Sequence, residues 1–96
     1  MCLLRKYLKK LVLMYSVAFD RDAQREFLNL DRQGQLLVSS KILDLQSGNF
    51  ANDKPLKGKH KGKFRKRAGN YRIIYLKENN LLVISVIRIA HRKEVY

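Results

Sequence analysis

The chain has 96 residues and a mass of 11.3 kDa, enough for one domain with a modest core. Hydrophobic residues at 46%, charged residues at 30%, five Gly and one Pro exclude a disordered, collagen-like or linker-like chain. With 21 Lys and Arg against 8 Asp and Glu, the net charge is +13, which argues against a small-molecule metabolic enzyme and for a polyanionic partner.

Met1–Leu13 interleaves Arg5, Lys6, Lys9 and Lys10 with leucines. The cations interrupt the apolar run, and no small-residue cleavage site follows, so it is not read as a signal peptide. It reads as a basic N-terminal extension (1–13), able to form an amphipathic helix with Leu4, Leu8 and Leu11 on one face, ahead of a domain over 14–96. The longest apolar stretches, Leu11–Tyr15 and Leu81–Ile87, are far short of a membrane span. Cys2 is the only cysteine, which excludes an internal disulfide and fits a cytoplasmic setting.

Tyr15–Phe19 alternates weakly and predicts a first strand. Asp20 can cap a helix carrying Ala23, Phe27 and Leu30. Asp31 can cap a second, carrying Val38, Ile42 and Leu45, with Gly48 as its stop. Asn49–Gly62 is a loop punctuated by Pro55, Gly58 and Gly62. Strands follow over Lys63–Arg67, Asn70–Lys77 and Leu81–Ile89, with Ala68-Gly69 and Asn79-Asn80 as turns. The fold class is α+β with two layers: an N-terminal strand and a helical hairpin packed on an antiparallel sheet, in the order β-α-α-β-β-β.

The charge is unevenly placed. Asp20–Asp53 holds four bases and six acids, whereas the 19 residues of Lys54–Arg72 hold nine bases and no acid. Strand alternation puts Lys63, Arg65 and Arg67 on one face and Phe64 on the other. Turns centred on Ala68-Gly69 and Asn79-Asn80 place Arg65 opposite Arg72 and Arg72 opposite Ile87, with the row continuing toward His91. Like charges facing one another are unfavourable for stability, and a phosphate relieves the repulsion. The plainer alternative is a solvated surface that keeps the protein soluble.

Three fragments resemble the RelE/ParE superfamily of toxins: Leu56-Lys57-Gly58, Gly69-Asn70-Tyr71-Arg72-Ile73-Ile74-Tyr75, and Arg88-Ile89-Ala90-His91-Arg92-Lys93-Glu94-Val95-Tyr96. Their order and spacing together carry the likeness, which covers roughly Met14 to Tyr96. Within the superfamily, RelE-like members cleave mRNA in the ribosomal A site, while ParE-like members poison DNA gyrase and generally lack the nuclease residues. Lys63, Arg65, Arg72 and the ending His91-Arg92 to Tyr96 imply the RelE-like branch. A cognate antitoxin, a toxin–antitoxin hetero-oligomer, the ribosome and mRNA are the implied partners.

Cys2, His60 and His91 form no zinc spacing, and no carboxylate lies between Lys54 and Lys77, so neither metal nor cofactor is expected. The expected chemistry is attack of an RNA 2′-hydroxyl on the adjacent phosphate, expelling the 5′ oxygen. Arg72 is assigned to the phosphate, and Lys63 and Arg65 to positioning or activating the 2′-hydroxyl. His91 or Arg92 donates the proton, since an imidazole titrates nearest neutrality and Arg92 can instead support the leaving group. Tyr96 stacks on a base or orients the hydroxyl. Lys57, Lys59, Lys61, Lys66 and Arg67 are expected to hold RNA backbone. The rival readings are a ParE-like gyrase inhibitor and a noncatalytic RNA-binding module.

Overall fold

The computed structural model describes residues 14–78 and 80–91. The expectations for residues 1–13, Asn79, Arg92 and Tyr96 lie outside the described residues.

After β1 (Ser16–Phe19), Asp20 turns the chain into α1 (Arg21–Leu28), and Asp31 opens α2 (Arg32–Gln46). The Asp31 carboxylate accepts a 2.7 Å bond from the Gly34 amide, satisfying one of the amides that a helix start leaves open. Asp20 holds an extended N-cap backbone without a side-chain cap bond. The first helix ends at Leu28, short of the expected Leu30, but Phe27 and Leu30 both pack against the core as their spacing requires. Gly48 at φ 81° ends the second helix in the left-handed conformation that glycine adopts without penalty.

The expected loop contains a two-residue strand, β2 (Lys54–Pro55), and a single 3₁₀ turn at Gly58–His60. Then come β3 (Phe64–Ala68), β4 (Tyr71–Glu78) and β5 (Val83–His91). The sheet order is β1-β5-β4-β3-β2. The three expected strands β3, β4 and β5 pair antiparallel in meander order, the unexpected β2 adds antiparallel to β3, and β1 runs parallel to β5 with Ser16 beside Val83 and Phe19 beside Val86. The helical hairpin carries the chain back over one face, so the first strand can lie alongside the last in the same direction.

Ala23, Val38 and Leu45 of the helices meet Ala68, Ile73, Tyr75, Ile84, Val86 and Ile89 of the sheet in one core. Complete burial of a side chain such as Leu45 or Ile73 contributes about 1.5–3 kcal/mol. All these sheet residues share one face, which leaves the other to the cations.

Two registers differ from expectation. The β3–β4 turn is centred on Gly69-Asn70, with Gly69 at φ 61°, so Ala68 pairs with Tyr71 and Arg67 with Arg72. The pairing has moved by an even step, and every side chain keeps its predicted face. In β5, Tyr75 pairs with Val86 but Ile74 pairs with Arg88, so Ile87 is an extra residue in a β-bulge. Beyond the bulge the faces exchange. Arg72 lies beside Ala90, and His91 lies beside Tyr71 on the helix side.

Candidate functional site

The face of the sheet turned away from the helices carries Arg65 and Arg67 of β3 and Arg72 of β4. Lys63 immediately precedes β3, in step with Arg65, and its carbonyl accepts from the Leu56 amide at 2.9 Å. Arg67, not Arg65, is directly opposite Arg72. The two-residue turn makes Ala68 and Tyr71 a hydrogen-bonded pair, so Arg67 and Arg72 form the next, non-hydrogen-bonded pair, where side chains stand closest.

Exposure grades across this row. Arg67 is exposed, Lys63 and Arg65 are half-buried, and Arg72 is 9% exposed. The Arg72 guanidinium donates to the Tyr71 carbonyl at 3.2 Å. Ion pairs among the described residues engage Arg25, Lys41, Lys66 and Arg88, whereas Lys63, Arg65 and Arg67 are in none of them. Ile74 and Ala90, beside Arg72, are also buried, so the cations border an apolar strip. Lys57, Lys59 and Lys61 are exposed around the 3₁₀ turn that leads to Lys63.

Two expected members of the site stand elsewhere. Lys66, expected to hold RNA backbone, is 4% exposed on the helix side. Its ammonium lies 3.0 Å from Asp53 Oδ1, while the Tyr75 hydroxyl donates to Asp53 Oδ2 at 2.5 Å. Alternation along β3 is the reason, because Lys66 shares its face with neither Arg65 nor Arg67. Burial above all, then the hydrogen bond to Asp53 and its charge, push the Tyr75 hydroxyl far above the ordinary tyrosine range and keep it protonated. His91 is set off from Arg72 by the bulge, and its ring stands edge-on to Tyr71 with centroids 5.5 Å apart.

Sequence reasoning missed Asp53 and Glu26. Asp53 sits in the loop before β2, and its one signal was its position as the last acid before the basic run. Glu26 of α1 closes an open strand edge. Because β1 stops beside Val86, no strand among the described residues lies along the outer edge of β5 beyond it. There Glu26 Oε1 accepts from the Ile89 amide at 2.8 Å, and Oε2 accepts from Arg88 Nε at 2.8 Å and Nη2 at 2.6 Å. Among the described residues, no group of three or more His, Cys, Asp or Glu side chains is placed to hold a metal ion. No helix among them is long and apolar enough to cross a membrane.

A helical hairpin against one face of such a sheet is the fold of solved toxin structures. A family model described as the ParE toxin of the type II toxin-antitoxin system, parDE, matches residues 4–96, and the chain belongs to this family. It is therefore a toxin of a type II toxin–antitoxin system, within the RelE/ParE superfamily. The toxin RelG of Mycobacterium tuberculosis is 24% identical over 87 residues, covering 85% of this chain and 95% of RelG. The archaeal RelE–RelB complex of Pyrococcus horikoshii contains a chain similar at a TM-score of 0.72 and 19% identity, with 86% of this chain and all (100%) of that one covered. The isolated E. coli RelE toxin is similar at a TM-score of 0.67 and 20% identity, with 80% of this chain and 83% of that one covered. The structural likenesses speak for the fold.

Proposed function

We propose that this toxin is a RelE-like, ribosome-dependent endoribonuclease. It cleaves mRNA by attack of a 2′-hydroxyl on the adjacent phosphate and so inhibits translation in the cytoplasm. The observation that carries this reading is the row Lys63, Arg65 and Arg67, in no ion pair among the described residues, with Arg72 facing Arg67 across the strands. Like charges placed face to face cost stability, and a bound phosphodiester removes that cost while the arginines neutralise the charge that builds on the phosphorane.

Arg67 and Arg72 bracket the scissile phosphate. Lys63 and Arg65 bind the attacking 2′-hydroxyl and, as cations, stabilise the alkoxide that forms as its proton passes to water. His91 lies against Tyr71 on the other face, so the leaving 5′ oxygen is assigned to Arg92, which the family resemblance also marks. Tyr96 stacks on a base. Lys57, Lys59 and Lys61 hold backbone phosphates in a salt-dependent way. The reaction needs positioning and charge, and no metal or cofactor takes part. An antitoxin neutralises the protein in a hetero-oligomer; a net charge of +13 suits an acidic partner segment.

The test is primer extension on mRNA from a translating extract. The wild type yields cuts within A-site codons, and Arg72→Ala, checked for an unchanged melting temperature, reduces them by about a hundredfold or more. Undiminished cutting by that variant contradicts the reading. The ParE description of the matching family supports the rival reading, a toxin that acts on DNA gyrase in place of mRNA. Inhibition of DNA supercoiling by the purified protein, without RNA cleavage, would establish it.

A further inference from the structure

We propose that the cavity at the outer edge of β3 is a subsite for one nucleotide of the RNA strand, flanking the scissile phosphate. This rests on the nuclease reading above and adds a place for the substrate beyond the reacting atoms. β2 stops at Lys54, opposite Arg65, because the chain bends away at Asn52, which holds a left-handed φ of 67°. Next to the vacated edge is a cavity of about 600 Å³, within the size range of small-ligand sites.

Three features suit it to a nucleotide. First, its lining is unbalanced in charge. Asp44 and Asp53 are matched by Lys41 at 3.8 Å and Lys66 at 3.0 Å, leaving Lys54, Arg65 and Arg67 in excess. Second, it offers directional polar groups. The ladder bond from the Leu56 amide to the Lys63 carbonyl fixes the alternation, so the Arg67 N–H and C=O also turn outward, where β2 no longer reaches. The exposed Asn52 amide has no hydrogen-bond partner among the described residues, and it presents a donor and an acceptor that match a base edge. Third, Arg65 and Arg67 belong both to this lining and to the row on the sheet face. A strand whose scissile phosphate rests between Arg67 and Arg72 passes directly over the β3 edge into the cavity. An acidic peptide added along the same edge would use the backbone groups, but it would leave the Asn52 amide without a role.

The test uses fluorescence anisotropy with single-stranded RNA trinucleotides made uncleavable by 2′-O-methylation, and the same RNAs lengthened by one nucleotide at either end. For the wild type, lengthening at one end tightens binding about tenfold, as a stacked and phosphate-bound nucleotide does. The double variant Asn52→Gly, Lys54→Ala alters two exposed positions, and glycine tolerates the left-handed backbone. It is expected to abolish that gain while keeping the trinucleotide affinity and the melting temperature. A gain that survives in the double variant overturns this proposal alone. The same holds if the variant instead loses only a labelled acidic hexapeptide. Failure of every RNA to bind the wild type overturns the subsite, whereas the nuclease reading stands or falls separately on the A-site cuts in the translating extract.

Discussion

Adjacent residues of one strand, Lys66 and Arg67, show two opposite uses of a cation. On the helix side, Lys66 is buried and neutralised by Asp53, which also receives the Tyr75 hydroxyl. On the far side, Arg67 is exposed, in no ion pair among the described residues, and set against a second arginine. The first arrangement ties the loop before β2 to the sheet, with Phe50 and Phe64 stacked on the Tyr75 ring around it. The second leaves like charges opposed, which makes sense for binding an anion and not for stability. Within a basic run, exposure and partners separate structural cations from working ones.

The contrast can be broken most sharply at Lys66. Lys66→Ala strands the Asp53 carboxylate in the interior and is expected to destabilise the fold by about 3–5 kcal/mol, read as a fall in urea midpoint. A change below 1 kcal/mol would mean that Lys66 is not a structural cation. Tyr75→Phe removes the second donor to Asp53 and is expected to cost about 1.5–3 kcal/mol. It also carries a pH signature. In the unfolded chain the tyrosine ionises near its ordinary value of 10.0, while the folded one stays protonated. Wild-type stability is therefore lost as pH rises beyond that value, and Tyr75→Phe should remove this part of the alkaline decline. Arg67→Ala should leave stability within about 0.5 kcal/mol of wild type, or raise it, because a like-charge pair is relieved. Its effect should appear in RNA binding, with a weaker affinity and a salt dependence shallower by about one phosphate contact.

Much of this contrast was legible in the sequence. Alternation alone set Arg65 and Arg67 apart from Phe64, and by the same rule from Lys66, although the density of the run drew Lys66 into the proposed RNA contacts. Misplacing the first turn by one residue did no damage, because Gly69-Asn70 shifts the pairing by an even step and leaves the faces unchanged. The second turn was less forgiving. A bulge at Ile87 has no clear signature in an apolar strand, yet it moves His91 to the far side of the sheet from Arg72. The parallel pairing of β1 with β5 depends on how the helices return the chain, which no local pattern encodes. The Asp53 and Glu26 contacts join residues 13 and 62 positions or more apart, beyond what spacing along the chain can reveal.

Whether the cationic face acts on RNA is decided by presenting the purified wild-type toxin separately with mRNA-programmed ribosomes and with DNA gyrase. The ribosomes are expected to yield cuts in the A-site codon that fall off steeply with added salt, while supercoiling proceeds unimpaired. Intact mRNA together with inhibited supercoiling would contradict this role of the cationic face.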